Sequence, residues 1–236
     1  MERVVYDGVC LTDRYDVVSV RRPPSPQVST ETIGGRDGVV VTDSSLKPPE
    51  ISITIVSRGG SVKRFRHEIA AIFAEKGPKV LQFSGDDGLY YVVHPSSIEW
   101  SGHATFGSAR IEFTAPDVFM YGARRSIVVD SGSVASFAVG GNFPTRPTIS
   151  GSVSRDASTG RVGVELDATE FVHLRVDTAN QVEAYVDCGR RYASVDGVTK
   201  LPTLDSDWLS LGAGTHTMRM DEGTGAVTVS WTERWV

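Results

Sequence analysis

The sequence is short of cysteine, of long apolar runs and of excess positive charge, and each shortage excludes a class of protein. The 236 residues hold two cysteines, Cys10 and Cys188, outside any CxxC or Cys/His cluster, so we predict two reduced thiols and no structural zinc site. A formal net charge of -5 argues against a nucleic-acid or anionic-membrane binder, which would carry a basic face. No stretch approaches the ~18 apolar residues of a membrane span, and the N-terminus lacks the pattern of a signal peptide. We therefore expect no membrane insertion and a cytoplasmic site of synthesis.

Catalytic and metal-binding signatures are also missing. The chain has no GxSxG elbow, HExxH motif, P-loop or dinucleotide fingerprint. Its five histidines share no ligand spacing within one element. The turns at 86–88 and 221–225 lack the alternating oxygen ligands and the distal glutamate of a calcium loop. We predict that the protein is not an enzyme and has no catalytic residues, cofactor or metal.

Short alternating runs of Val, Ile, Thr and Tyr, separated by Gly, Asp and Pro, make up most of the chain and predict a mainly β fold. Asp7-Gly8 predicts a tight two-residue hairpin turn. Ile51, Ile53 and Ile55 predict one buried face of a strand.

A single helix is predicted from Val62 to Lys76. Ser61 is a suitable N-cap, and the apolar residues between Val62 and Phe73 recur at helical spacing. Gly77 and Pro78 supply a stop signal.

The second half shows no helical period, and its closely spaced short strands predict an all-β sandwich. The composition changes near 122–125, so we expect two domains, 1–124 and 125–236. The first carries 14 basic and 15 acidic groups (-1) and the second 10 and 14 (-4), which sum to the -5 of the chain.

The order of these features resembles the distal tail protein family of long non-contractile-tailed bacteriophages, the siphophages. The matching segments are GRDG (35–38), ISITIV (51–56), the helix, VLQFSGDDGLYYVV (80–93) and FTAPDVFMYG (113–122). Pro116-Asp117 reverses the Asp-Pro order usual in the family. In the second half, VGGNFPTRPTISGSV and DWLSLGAGTHTMRM resemble the entry and a late strand of a galectin-like sandwich, with His216 where asparagine is usual.

This resemblance implies a mainly β fold with one helix, in which an N-terminal tail-tube-like β-barrel or sandwich domain precedes a C-terminal galectin-like β-sandwich. It also implies a structural protein of the virion tail, assembled in the host bacterial cytoplasm. Such a protein forms a homo-hexameric ring at the distal end of the tail tube. The ring joins the tail tube protein to the tail-tip hub and to tail-associated and receptor-binding proteins, and DNA passes through its lumen without specific binding.

The segment 21–50 interrupts the strand pattern. The prolines of RRPPSP cannot donate to a sheet ladder, a glycine-rich turn follows, and a Lys-Pro-Pro break precedes the next strand. We hypothesise that this long loop is an inter-subunit belt that lies along the sheet edge of a neighbouring copy; a disordered surface loop is the alternative. The candidate belt residues are Gly34, Gly35, Arg36, Gly38, Lys47, Pro48 and Pro49.

Three tryptophans leave a second function open. Trp208, Trp231 and Trp235 either fill the core or an interface of the sandwich, or form a surface platform for stacking sugars. The platform would make the protein a saccharide-binding module of the tail tip that recognises the host surface. A hydrolase with divergent motifs is the third class.

Overall fold

The protein is described by a computed structural model that covers residues 2–32, 37–103 and 106–236. The chain divides into two compact units, one up to Tyr121 and the other Gly122–Trp235. Across the described residues there are nineteen strands and one α-helix, which confirms the predicted mainly β fold with one helix. In this part of the chain no helix is long and apolar enough to cross a membrane.

The first unit is built on an antiparallel sheet. Its elements, in chain order, are β1 (Val4–Tyr6), β2 (Val9–Cys10), β3 (Tyr15–Arg21), β4 (Ser25–Glu31), β5 (Val40–Lys47), β6 (Glu50–Ser57), α1 (Val62–Phe73), β7 (Lys79–Phe83), β8 (Tyr90–His103), β9 (Phe106–Thr114) and β10 (Met120–Asp130), which continues into the second unit. The strand order of the sheet is β3-β6-β9-β8-β7-β1-β2.

The predicted turn at Asp7-Gly8 is confirmed. Both residues have positive φ, 47° and 79°, and Tyr6 pairs directly with Val9. Two consecutive positive φ values match the twist of a two-residue hairpin, and an Asp-Gly pair adopts them at low cost.

The long strand β8 pairs with two neighbouring strands along different parts of its length. It pairs with β7 up to Val93 and with β9 from His94 onward. The β9 ladder shifts register between Pro95 and Ser97. Proline lacks the N–H that a regular ladder needs at this point.

The core of the first unit lies between this sheet and the helix. Ile51, Ile53 and Ile55 are all buried as predicted. Phe65, Ile69 and Phe73 form the buried face of the helix, because the spacing of three and four residues returns to one side.

The helix is shorter than predicted. It ends at Phe73 and not at Lys76. Phe73 is the last residue of the helix that reaches the core, with its ring 4.7 Å from that of Tyr6. The next three residues are exposed, so no packing stabilises a further helical turn.

The second unit consists of two sheets that share one core. Its elements are β11 (Val134–Val139), β12 (Thr148–Ser154), β13 (Arg161–Leu166), β14 (Glu170–Arg175), β15 (Val182–Asp187), β16 (Tyr192–Val195), β17 (Val198–Thr199), β18 (Gly214–Glu222) and β19 (Thr224–Trp235). One sheet has the order β17-β16-β15-β12-β19-β10 and the other β11-β18-β13-β14.

Apolar side chains from both sheets meet in a single cluster. Val162 and Val164 of one sheet and Ile149 and Val229 of the other belong to it, as expected for alternating inward residues of a sandwich. The galectin-like relationship of this sandwich stays a prediction.

Candidate functional site

The segment between β3 and β6, predicted as a long loop that leaves the sheet, contains a β-hairpin. Strands β4 and β5 form a separate two-stranded antiparallel sheet, with Ser25 opposite Lys47 and Glu31 opposite Val40. The register shifts between Ser29 and Thr30. The chain therefore leaves the main sheet and folds back on itself.

No residue of either hairpin strand is buried. Three valines are strongly exposed: Val28 by 51%, Val39 by 60% and Val41 by 58%. Within the described residues, neither strand pairs with any other strand of the chain. A two-stranded hairpin without a packed face is at best marginally stable in water, and among the described residues no surface covers this one.

The base of the hairpin is fastened by ion pairs and a backbone bond. The N–H of Arg22 donates to the carbonyl of Glu50 at 3.0 Å. The carboxylate of Glu50 lies 3.2 Å from Nζ of Lys47 and 2.9 Å from the guanidinium of Arg22. The hydrogen bond from Lys47, with the charge of Arg22 added, lowers the pKa of Glu50. All three side chains are exposed, so these pairs orient the hairpin more than they stabilise it.

A cleft of about 460 Å³ opens where the hairpin meets the sheet. Pro48 and Pro49 line one side, and Arg110 and Glu112 of β9 line another. The two prolines fix φ and donate no hydrogen bond, so this stretch cannot continue the ladder of β5.

The structure places only some of the predicted belt residues. Gly34, Gly35 and Arg36 lie outside the described residues. Gly38 has a φ of +92° with open space around its Cα, as a tight turn requires. Lys47, Pro48 and Pro49 come together at the base of the hairpin and line the cleft.

Sequence reasoning missed that the two flanks of the glycine-rich turn pair with each other. The flanks SPQVSTE and VVTDSSLK lack an alternating apolar face, which is the usual signal of a strand. The sequence feature that could have indicated these two strands is the enrichment in Val, Ser and Thr on both sides of the glycine-rich segment.

Two of the three tryptophans lie in or against the core of the sandwich. Trp231 is buried in the sandwich core, with its ring 4.9 Å from that of Phe137. Trp208 packs against the same core, and Trp235 is half-buried. Within the described residues, this placement favours the core interpretation for Trp208 and Trp231.

Two histidine–aspartate pairs occur in the second unit. His173 Nε2 lies 2.6 Å from Asp221, and His216 Nδ1 lies 2.6 Å from Asp167, with its Nε2 bonded to the carbonyl of Gly212. Each ring is therefore engaged with a carboxylate, as in a structural pair. Over the described ranges, no three His, Cys, Asp or Glu side chains converge as metal ligands would.

Comparisons with known proteins cover both units. Residues 11–115 match the family described as phage tail protein RIFT-related domain, and residues 140–235 match the siphovirus-type tail component, C-terminal domain. The distal tail protein of Bacillus phage SPP1 is 25% identical over 244 residues, which span 99% of this chain and 95% of that protein.

Solved structures show the same fold. The crystal structure of the SPP1 distal tail protein, described as a paradigm of the hub adsorption apparatus in phages that infect Gram-positive bacteria, matches with a TM-score of 0.76 at 19% identity and covers 100% of both chains. A chain of the phage p2 baseplate, in its activated conformation with strontium, matches with a TM-score of 0.52 at 10% identity over 98% of each chain.

Proposed function

Because this chain belongs to the distal tail protein family of siphophages, and is thus a structural protein of the virion tail, we propose that it forms the homo-hexameric ring at the distal end of the tail tube. The ring links the tube to the tail-tip hub and to the receptor-binding proteins, and leaves a lumen for DNA. Its relatives are hub proteins of the tail and not enzymes.

The observation that carries the proposal is the hairpin of residues 25–47. No residue of its strands is buried, and all of them except Val40 and Leu46 are exposed; such a hairpin needs a second surface to be stably ordered. A ring of identical subunits supplies that surface through a heterologous contact, in which different patches of two copies meet and the rotation closes. The hairpin is the belt of this contact.

The edge strand β3 is the acceptor that we propose on the neighbouring copy. Within the described residues, β3 pairs with β6 alone, so its other edge keeps unpaired N–H and C=O groups. Val18 and Val20 are exposed on it, by 61% and 50%. An exposed edge with apolar side chains favours strand addition by another chain.

Deleting the hairpin tests this function. Ser25 and Lys47 are direct partners in the ladder, so their Cα atoms are about 5 Å apart, and an Asn-Gly turn can join them in place of residues 26–46. We expect a folded monomer with unchanged near-UV circular dichroism that no longer forms rings, by light scattering and negative-stain imaging.

A double substitution tests the exposed surface of the hairpin without deleting it. Val28→Thr with Val41→Thr keeps side-chain shape but adds hydroxyl groups that are costly to bury at an interface. We expect ring assembly to weaken by about tenfold or more. Val134→Thr, at a valine that is 63% exposed on β11, is the matched control and should assemble normally. Normal rings from the deletion variant would contradict the proposal.

A further inference from the structure

A buried histidine of the sandwich lies between two aspartates from different elements. The side chain of His173 on β14 is only 8% exposed, and its Nε2 lies 2.6 Å from Oδ2 of Asp221 on β18. Its Nδ1 lies 3.6 Å from Oδ2 of Asp205, in the segment that follows β17. Nδ1 and the second carboxylate oxygen of Asp221 are buried without a hydrogen-bond partner. The ring of His173 therefore makes one short hydrogen bond, to Asp221, whereas its distance to Asp205 is longer than that of a hydrogen bond.

A glycine on the neighbouring strand leaves the space that the imidazole ring of His173 occupies. Gly163 of β13 lies directly opposite His173, and a Cβ at that position would overlap the imidazole. The ring crosses over Gly163 to reach Asp221, and Phe171 stacks on it with centroids 5.8 Å apart.

The segment 203–207 is fastened to β14 through the backbone of the same histidine. The N–H of Thr203 donates to the carbonyl of His173 at 3.0 Å, and the N–H of His173 donates to the hydroxyl of Ser206 at 2.9 Å. The N–H of Asp207 donates to the carbonyl of Phe171. The segment thus lies along the edge of the sheet as an irregular extra strand.

Both acidic and basic side chains surround the imidazole ring of His173. Hydrogen bonding by Thr203, with the charge of Arg161 contributing, lowers the pKa of Asp205 to about 2. Asp205 therefore stays ionised throughout the range in which histidine titrates. The charged and titratable groups on the elements around His173 are Arg161 and Glu165 of β13, Glu170 and Arg175 of β14, His216, Arg219, Asp221 and Glu222 of β18, and Asp205 and Asp207 of the segment; Arg161 is bound to Asp205, and Arg219 to Glu165.

We propose that His173 is a proton-operated latch that fastens the segment 203–207 to the sandwich. With both ring nitrogens protonated, Nε2–H donates to Asp221 and Nδ1–H donates to Asp205. With one proton, held at Nε2 by Asp221, Nδ1 directs a lone pair toward the carboxylate of Asp205, and the contact is repulsive. The latch is closed when the ring carries both protons and open when it carries one.

Closing the latch also affects how the exposed apolar side chain of Leu204 is presented. Leu204 immediately precedes Asp205 and is fully exposed. Fastening Asp205 fixes the backbone that presents this leucine, so the order of the presented surface depends on pH.

Hydrogen exchange of the full chain tests the latch. After correction for the intrinsic exchange rate, the amides of Thr203 and Asp207 should be about fivefold better protected near pH 5.5 than near pH 7.5, because a charge-assisted hydrogen bond closes the segment. Amides of the core strand β12 serve as the internal reference and should show no such ratio.

Two aspartate variants test whether Asp205 is the carboxylate that binds the protonated ring of His173. Asp205→Asn removes the charge that the protonated ring binds, and the protection ratio should fall below about twofold. Asp207→Asn is the same change two positions away and should keep the wild-type ratio. Equal protection of the wild-type chain at both pH values, or a ratio that survives in Asp205→Asn, overturns the proposal. The wild-type comparison decides the question even if one variant folds poorly.

Discussion

Gly163→Ala is the substitution for which the structure predicts the most specific loss of stability. The added Cβ would overlap Cδ2 of His173 and lie 2.9 Å from its Nε2 and 3.0 Å from Oδ1 of Asp221. Because the added Cβ would overlap the ring, the imidazole must leave its position. Asp221, whose side chain is only 14% exposed, then loses its partner.

The size of the effect follows from three contributions. Losing a hydrogen bond to a charged group costs about 1.5–3 kcal/mol, and overpacking costs about 1–3 kcal/mol. Restricting the unfolded chain by replacing glycine with alanine offsets about 0.4–1 kcal/mol. Together these give an expected net decrease of about 1.5–5.5 kcal/mol in the free energy of unfolding.

Urea denaturation with a double-mutant cycle is the assay. In a His173→Ala background the clash is absent, so Gly163→Ala should cost less than about 0.5 kcal/mol. Gly212→Ala is the control, because a Cβ at that position meets nothing within 4 Å. An equal cost of Gly163→Ala in both backgrounds would refute the steric argument.

Two further predictions concern stability. Burial works against the charged form of His216, but its hydrogen bonds to Asp167 and to the carbonyl of Gly212 outweigh burial and raise its pKa. A raised pKa contributes stability that is complete below the unfolded value of about 6.5 and is lost as pH rises through the folded value. Urea midpoints measured across this range should show that loss, and His216→Asn should flatten it; a profile that the variant leaves unchanged counts against the pair. Ile53→Ala, at a fully buried position of the first core, should cost about 2–5 kcal/mol, whereas Val134→Ala should stay within about 0.5 kcal/mol; thermal unfolding that ranks them equally contradicts the assigned core.

Local periodicity determined much of the fold in advance. The alternation of Ile51, Ile53 and Ile55, the stripe of the helix and the Asp7-Gly8 turn each depend on residues within one element. Burial of one face and the φ preference of glycine act over a few positions, so the sequence alone predicts them. The same reasoning failed at the end of the helix, because Phe73 is the last helical residue to reach the core, and that contact depends on Tyr6, far away in the chain.

The candidate sites, in contrast, depend on residues that only folding brings together. His173 and Asp221 are 48 positions apart, and nothing in the local pattern pairs them. Strands β4 and β5 have no apolar period, because none of their residues is buried within the described part of the chain. The sequence by itself determined the mainly β fold and the order of motifs that resembles the family. Only the tertiary structure decided where the hairpin begins, that Trp208 and Trp231 pack on the core and which carboxylates surround the buried histidine, because long-range packing and hydrogen bonding select these contacts and local preference does not.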